Sequence, residues 1–327
     1  MPHSADGLQT GEVALVFGVM TGLSDSMRRV HFPLSGGEMA GIAFGDASRP
    51  PDLVFLHATG FNALTYREML APLGEHFHVL AVDLRGHGRS SLGARRFGYA
   101  SWNRHRDDVL ELIDTHIRAP VTLAGHSMGA TTSLLAAGHR PDLVRGLALI
   151  DPVLMPPAHY AVAATPGMPL IWRHTFPIAR AAARRRAHFQ SKEEAAAALT
   201  GRGIFKSFTP SVLRDYVEDG FEDAAEGGVR LACPPAYEAA TFAAQRNDPW
   251  RAFLRARDPI VVLRAAQGST TPLACVERIR DMRPKVRVAT VEGATHALPM
   301  ERPDRVRAAI ETAILQAAPA QRFHDLL

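Results

Sequence analysis

Cysteine is almost missing from this chain of 327 residues. Cys233 and Cys275 form no CxxC pair and no His-spaced set, which argues against structural zinc and against a disulfide framework. Lysine occurs only at 192, 206 and 285, so nearly all positive charge is arginine. The excess is small, a net +4 from 37 basic and 33 acidic residues, and no Lys/Arg run is interleaved with aromatics. That balance excludes a nucleic-acid partner. No stretch approaches the roughly 20 apolar residues a membrane span requires. The longest N-terminal apolar run, "EVALVFGVMTGL", has Glu12 in front, no basic region before it and no small-residue cleavage site. It reads as a surface helix rather than a signal peptide. The expectation is a cytoplasmic protein, with the oligomeric state left open.

What is present alternates. Strand-like and helix-like segments succeed one another as in a mostly parallel sheet covered by helices, the α/β class. "RRVHFPL" and "MAGIAF" resemble an opening hairpin. "DLVFLH", "FHVLAVD", "APVTLAGHS" and "VRGLALID" are short apolar runs of the fully buried kind. The strand signal stops after residue 153 and resumes at "PIVVLR" and "KVRVATVEG". Between them, roughly 154–252, lie helix formers: Ser191 and Glu194 in capping-box register, Gly201 as a stop, and Pro210 at a first-turn position. The expected organisation is a core of residues 1–153 plus 253–327 with a helical cap, 154–252, inserted after the sixth strand. An aromatic and apolar cap (Met155, Tyr160, Met168, Trp172, Phe176, Phe205, Phe208, Tyr237, Phe242) suggests an apolar pocket. The Arg180/Arg184/Arg185/Arg186 cluster reads as a solvated helix face before it reads as a site for an anion or a membrane surface.

"LAGHSMGA" is a strand end, then Gly125-His126-Ser127-Met128-Gly129, then a helix. This is the G-x-S-x-G elbow in its confirming context. A strained turn pushes the Ser127 hydroxyl outward, side chains at 125 and 129 would collide with neighbouring backbone, and the following helix aims its positive end at the site. With "FLHATGFNA", "VDLRGHGRS", "LIDPV" and "EGATHALPMERP", the chain resembles the α/β-hydrolase fold superfamily, specifically a serine esterase-like member with a helical cap. The resemblance covers 28–153 and 253–318 and implies an eight-stranded, mostly parallel sheet.

It also implies roles. Ser127 would be the nucleophile and His296, in the loop after the last strand, the base. Met128 and Thr59 would supply the oxyanion-hole amides, with Gly60 or Phe61 as substitutes for Thr59 because Ala58 stands where the family usually has glycine. His57, Asp83, Arg85 and Glu301 match family positions and read as structural, the last three as ion-pair partners. His87 and His126 read as surface or packing residues, although His126, Phe61 and Trp172 are also the candidates for substrate contact. No metal and no cofactor is called for.

One member is missing. After strand 259–264 the family usually supplies Asp or Glu, and this chain offers Gln267, Gly268, Ser269 and Thr270. Asp258 stands at the wrong end of that strand, about 20 Å away at 3.3 Å per residue. Asp281 and Glu277 belong to the next helix. Asp151 stands at the carboxyl end of the neighbouring strand, one inter-strand spacing of about 5 Å away. Haloalkane dehalogenases and some esterases of the superfamily carry their acid there. The acid is therefore expected to have moved to Asp151.

A serine at the elbow excludes the aspartate-nucleophile chemistries of this superfamily. The leading expectation is hydrolysis of a carboxylic ester, thioester or lactone with an apolar acyl group, through an acyl-enzyme. The alternatives are carbon–carbon bond hydrolysis, perhydrolase activity, or a non-catalytic ligand receptor.

Overall fold

The computed structural model describes residues 27–317, Arg96 excepted; the expected N-terminal surface helix lies outside them. Strands β1 (Arg28–Leu34) and β2 (Gly37–Phe44) form the hairpin. They join β3 (Leu53–Leu56), β4 (Val79–Val82), β5 (Val121–His126), β6 (Val144–Ile150), β10 (Ile260–Ala265) and β11 (Arg287–Val291) in one eight-stranded sheet. Its order is β1-β2-β4-β3-β5-β6-β10-β11. The β1–β2 and β2–β4 pairings are antiparallel and the rest parallel.

Every residue of β3, β4, β5 and β10 is buried, because helices cover both faces and leave no polar side to alternate with. Two apolar clusters fill these faces. One contains Val54, Leu56, Leu123 and Leu147, and the other Phe55, Ala124, Ala148 and Ile150. Successive residues of one strand thus feed opposite cores, as the period of two requires.

Between β6 and β10 the chain forms helices Pro157–Ala163, Met168–Thr175, Pro177–Ala183, Lys192–Leu199, Pro210–Gly220 and Pro235–Ala243. Their starts follow the sequence signals: Ser191 caps the Lys192 helix through the Glu194 amide, and Pro210 opens its helix behind the Thr209 cap. The segment is not all helical. Strands β7 (His188–Phe189), β8 (Phe221–Asp223) and β9 (Val229–Leu231) form a small antiparallel sheet, ordered β7-β9-β8. Strands of two or three residues are too short to show a period, so the sequence carried no sign of them.

A further helix, Pro249–Arg255, packs against the elbow helix Met128–His139. A Cβ added at Gly138 would lie 2.6 Å from Ala252 Cβ, and the Ala252 backbone is closer still. Gly138→Ala therefore sets two effects against each other. Helix propensity favours alanine by about 1 kcal/mol, whereas forcing the two helices apart costs typically 1–3 kcal/mol. The close contact is with backbone, which cannot rotate away, so the variant should be destabilised. A urea midpoint at or above that of the parent would show that the helices can separate without cost.

Candidate active site

Three side chains meet at the carboxyl edge of the sheet. Ser127 sits between β5 and its helix with φ 56° and ψ −117°, a conformation a non-glycine residue rarely adopts. Two neighbours make the turn possible: a Cβ at Gly125 would lie 2.5 Å from the Gly129 backbone, and one at Gly129 would overlap the Leu56 carbonyl. The Ser127 amide donates to Ile150 O, locking the turn to β6. His296 follows β11 in a loop held by Glu301, which accepts from the Thr295 amide at 2.6 Å and from Thr295 Oγ1 at 2.7 Å.

His296 Nε2 lies 3.0 Å from Ser127 Oγ, and His296 Nδ1 lies 2.6 Å from Asp151 Oδ2. A carboxylate only accepts, so Nδ1 carries the proton and Nε2 of the neutral ring is free to accept the serine hydrogen. Asp151 is fully buried at the end of β6 and has φ 43°. Burial on its own would raise its pKa. The hydrogen bond and charge of His296, then the bonds from Ser269 and the Ala265 amide, outweigh that and hold the carboxyl below its usual range.

The loop without an acid is thus not idle. Ser269 Oγ donates to Asp151 Oδ1 at 2.5 Å, the Ala265 amide to the same oxygen at 3.0 Å, and the Thr270 amide to Oδ2 at 3.2 Å. Thr270 Oγ1 also donates to the Asp151 carbonyl, and Thr271 Oγ1 to that of Pro152. On the other side, Thr131 exchanges hydrogen bonds with Val153 from one turn inside the elbow helix. Sequence reasoning passed over Ser269, Thr270 and Thr271 because it asked the loop for an acid, and not for donors to an acid elsewhere. The run "GSTTP" was the available signal. Gln267, the loop's other polar residue, is exposed.

The loop after β3 faces the elbow. Ala58 has no positive φ; Gly60 takes the left-handed turn with φ 76°. The Ala58 amide donates to Tyr66 Oη, the Gly60 amide to His87 Nε2 and the Phe61 amide to Ala58 O. That engages both substitutes for Thr59, whose own amide donates to no protein group among the described residues. Thr59 Oγ1 donates to Met128 Sδ at 3.3 Å, tying the loop to the residue that begins the elbow helix.

Three buried imidazoles brace these loops. A carbonyl only accepts, so each ring's tautomer follows from its partners. His57 donates through Nδ1 to Ala58 O and accepts the Leu84 amide. His87 donates through Nδ1 to Arg85 O and accepts the Gly60 amide. His126 donates through Nε2 to His296 O and accepts the Tyr66 hydroxyl. His87 and His126 are therefore buried residues, not surface ones. Of the expected ion pairs, Arg85 forms one, with Asp108 at 2.5 Å. Asp83 instead accepts the Ala63 and Arg89 amides, and Glu301 serves Thr295 and Ser207, because loop backbone with no ladder partner needs acceptors.

A cavity of about 690 Å³ opens above Ser127 and His296. Its lining is mainly apolar, with Phe61 near the serine and Ile178, Phe189, Leu199, Ile204, Phe205, Phe221 and Phe242 beyond. His126 borders it, but with both nitrogens committed it presents only carbon. Trp172, expected to contact substrate, is not in the lining. Its indole stacks against both His159 and Phe176 and packs on Ala163 and Ala243, as the bulky anchor of its own helix. Arg185 and Glu238 enter the cavity wall already paired at 2.7 Å, with Tyr216 Oη on the same guanidinium at 2.8 Å. Arg202 also lines the cavity, exposed and with no carboxylate in reach among the described residues.

Sheet order, elbow and the serine–imidazole–carboxylate line together define an α/β hydrolase. Residues 53–309 match the model of the alpha/beta hydrolase family, and the chain belongs to that family. It is similar to the 2-(acetamidomethylene)succinate hydrolase of Mesorhizobium japonicum, 29% identical over 250 residues that cover 75% of this chain and 81% of the relative. A crystal structure of E-2-(acetamidomethylene)succinate hydrolase matches with TM-score 0.71 and 26% identity, over 88% of this chain and 99% of that one. The thioesterase domain from the curacin biosynthetic pathway shares the fold at TM-score 0.69 and 18% identity, over 88% of this chain and all of that one (100%).

The imidazoles give the protein a pH signature. Burial pushes His57 and His105 well below the ordinary value, His87 to about 4 and His126 to about 3. A group depressed in the folded state stabilises it above the unfolded value near 6.5 and loses that contribution as pH falls toward the folded value. Asp83, raised by burial to about 7, acts oppositely: its contribution is full at low pH and fades as pH rises through 7. The four strongly depressed imidazoles, together with His159, outweigh Asp83 and the smaller upward shifts of Asp108, Asp215 and Glu238. Folding stability should thus drop between about pH 6.5 and 5, by up to roughly 1.4 kcal/mol per pH unit for each net group. Urea denaturation measures this, and a flat profile over that interval would show that the rings are not held neutral.

Proposed function

We propose that the protein is a serine hydrolase that forms an acyl-enzyme on Ser127 and releases it to water. The observation that carries the reading is the continuous line from Ser127 Oγ through the His296 ring to the buried Asp151 carboxylate, at 3.0 and 2.6 Å. In this reading His296 takes the serine proton as Ser127 attacks a carbonyl carbon, then returns it to the leaving group. Asp151 stabilises the imidazolium formed in between. The Met128 and Thr59 amides receive the oxyanion, a pair in which one donor is typically worth about 3–4 kcal/mol. The sequence then repeats with water as nucleophile.

The substrate class that fits best is a carboxylic ester, thioester or lactone whose acyl group is mainly apolar. Support comes from the walls: aromatic and aliphatic side chains dominate, and the deep cation, Arg185, is neutralised by Glu238. The residues between β6 and β10 act as the cap over this cavity, since they contribute most of its lining. A second reading is favoured by the similarity to hydrolases named for substituted succinates. Arg202 could hold one carboxylate of such a substrate at the cavity edge, and the reaction would then release an acyl group from nitrogen or carbon.

A fluorophosphonate probe should label the protein at Ser127, located by peptide mass spectrometry, with labelling lost in Ser127→Ala. Absence of labelling in a folded parent that still binds ligands would favour a receptor over an enzyme. A panel of apolar esters, thioesters, lactones and carboxylate-bearing amides then separates the two substrate readings.

The acid assignment has its own test. Asp151→Asn should lower kcat by about 10⁴. Ser269→Ala removes one hydrogen bond to the charged carboxylate, worth about 1.5–3 kcal/mol, and should cost roughly 10- to 100-fold. Near-parental turnover in Asp151→Asn would mean that another group serves His296.

A further inference from the structure

Between Asp151 and Glu193 the chain holds no acidic residue, yet it carries Arg173, Arg180, Arg184, Arg185, Arg186 and Lys192. The structure sorts these cations. Arg185 is paired with Glu238, Arg186 with Glu194 and Lys192 with Glu218. Arg173, Arg180 and Arg184 have no carboxylate partner among the described residues. Arg173 and Arg180 lie on two short helices and Arg184 caps the second, and the same helices leave large apolar side chains in solvent: Leu170 is 58% exposed, Ile171 52% and Ile178 54%.

Both helices face inward onto the helix Pro235–Ala243. Trp172 packs with Ala243, and Ala179 and Ala182 with Ala239. At 100° per residue, Leu170 and His174 fall opposite Trp172, and Arg180 falls on the far side of its helix from the cavity-lining Ile178, Ala181 and Ala182. The outward faces therefore present aliphatic and cationic groups together. Leu170 and Arg173 border one shallow groove, which Phe97 also lines. Ile178, also exposed, lines the cavity above Ser127 on another face of the second helix.

Helices that expose aliphatic side chains beside unpaired arginines and carry no acid of their own suit a partner that is apolar beneath and negative at its boundary. We propose that the outward faces of helices Met168–Thr175 and Pro177–Ala183 dock on an anionic phospholipid bilayer, bringing the cavity mouth to the lipid surface. The charge selects the partner: each arginine near an anionic leaflet strengthens partition about fivefold, and there is no acid on these helices to oppose it. Leu170 and Ile171 would enter the headgroup–acyl boundary. Ile178 of the second helix lines the apolar cavity, so docking would set the cavity wall beside the bilayer from which a hydrophobic acyl substrate is drawn. Binding itself does not depend on the reaction proposed for Ser127.

The test is cosedimentation with vesicles, at low salt, of equal parts phosphatidylglycerol and phosphatidylcholine, with pure phosphatidylcholine vesicles alongside. The full chain should sediment with the anionic vesicles and be released by high salt. Arg180→Gln with Arg184→Gln should weaken partition about 25-fold, the product of two fivefold steps. Leu170→Asp with Ile171→Asp should weaken it roughly 100-fold or more. Both variants should keep the parental melting temperature, since the replaced side chains are exposed. The proposal is overturned if the parent stays in the supernatant, if either double variant partitions like the parent, or if the aspartate variant only converts a self-associating parent to monomer. Because the readout is binding, none of these results bears on the hydrolase reading.

Discussion

A carboxylate cut off from water must be surrounded by donors or give up its charge, and the buried end of β6 is organised around that requirement. Asp151 receives hydrogen bonds from the end of β10, from the loop that follows it and from His296 after β11. Those donors lie on neighbouring strands only because the sheet order is β6-β10-β11. With the acid on β6, the β10 loop is relieved of supplying a charge and supplies hydroxyl and amide hydrogens instead. Its two threonines then fix the backbone at Asp151 and Pro152. Such over-determination is what allows Asp151 to hold a positive φ immediately before a proline, a position where the backbone is already restricted.

A second constraint is neutrality. Each imidazole in the loops around Ser127 both donates and accepts, which a protonated ring cannot do. A chain of hydrogen bonds runs from the Ala58 amide to the Tyr66 hydroxyl, on to His126, and ends on the His296 carbonyl. It joins the loop that precedes Thr59 to the loop that carries His296, two segments of the same edge that come from opposite ends of the sequence. The elbow's position therefore depends on rings that take no part in any bond to Ser127.

Most of the fold was legible because it rests on signals that survive without tertiary context. The predominantly apolar runs of β3 to β6 announce a parallel sheet, and the elbow pentapeptide announces the turn between β5 and its helix. Asp151 could be read by position, since strand adjacency and inter-strand spacing bound where a displaced acid can stand. The donors around it could not, because Ser269 and Thr270 gain their meaning only when a carboxylate from another strand arrives beside them. For His87 and His126 the residues alone left surface and packing both open, because a histidine next to a glycine-rich motif shows its burial only when the backbone amides and carbonyls around it are in place. Trp172 shows an outright error. A large aromatic in a segment expected to cover a pocket suggests ligand contact, but a helix of 8 residues needs an anchor first, and the indole serves as that anchor.

The helix Pro177–Ala183 carries two jobs at once. Ile178, Ala181, Ala182 and Arg185, spaced as one helical stripe, form cavity wall, while Arg180 and Arg184 look outward. A helix of 7 residues has too few hydrogen bonds to stand alone, and its inward grip consists of alanines meeting an alanine. The small side chains let the two helices approach closely, and Phe176 and Phe242 close over the alanines from either side. The fixed points on either side are the Arg185 bonds to Glu238 and Tyr216 after it and the stacked Trp172 and Phe176 before it.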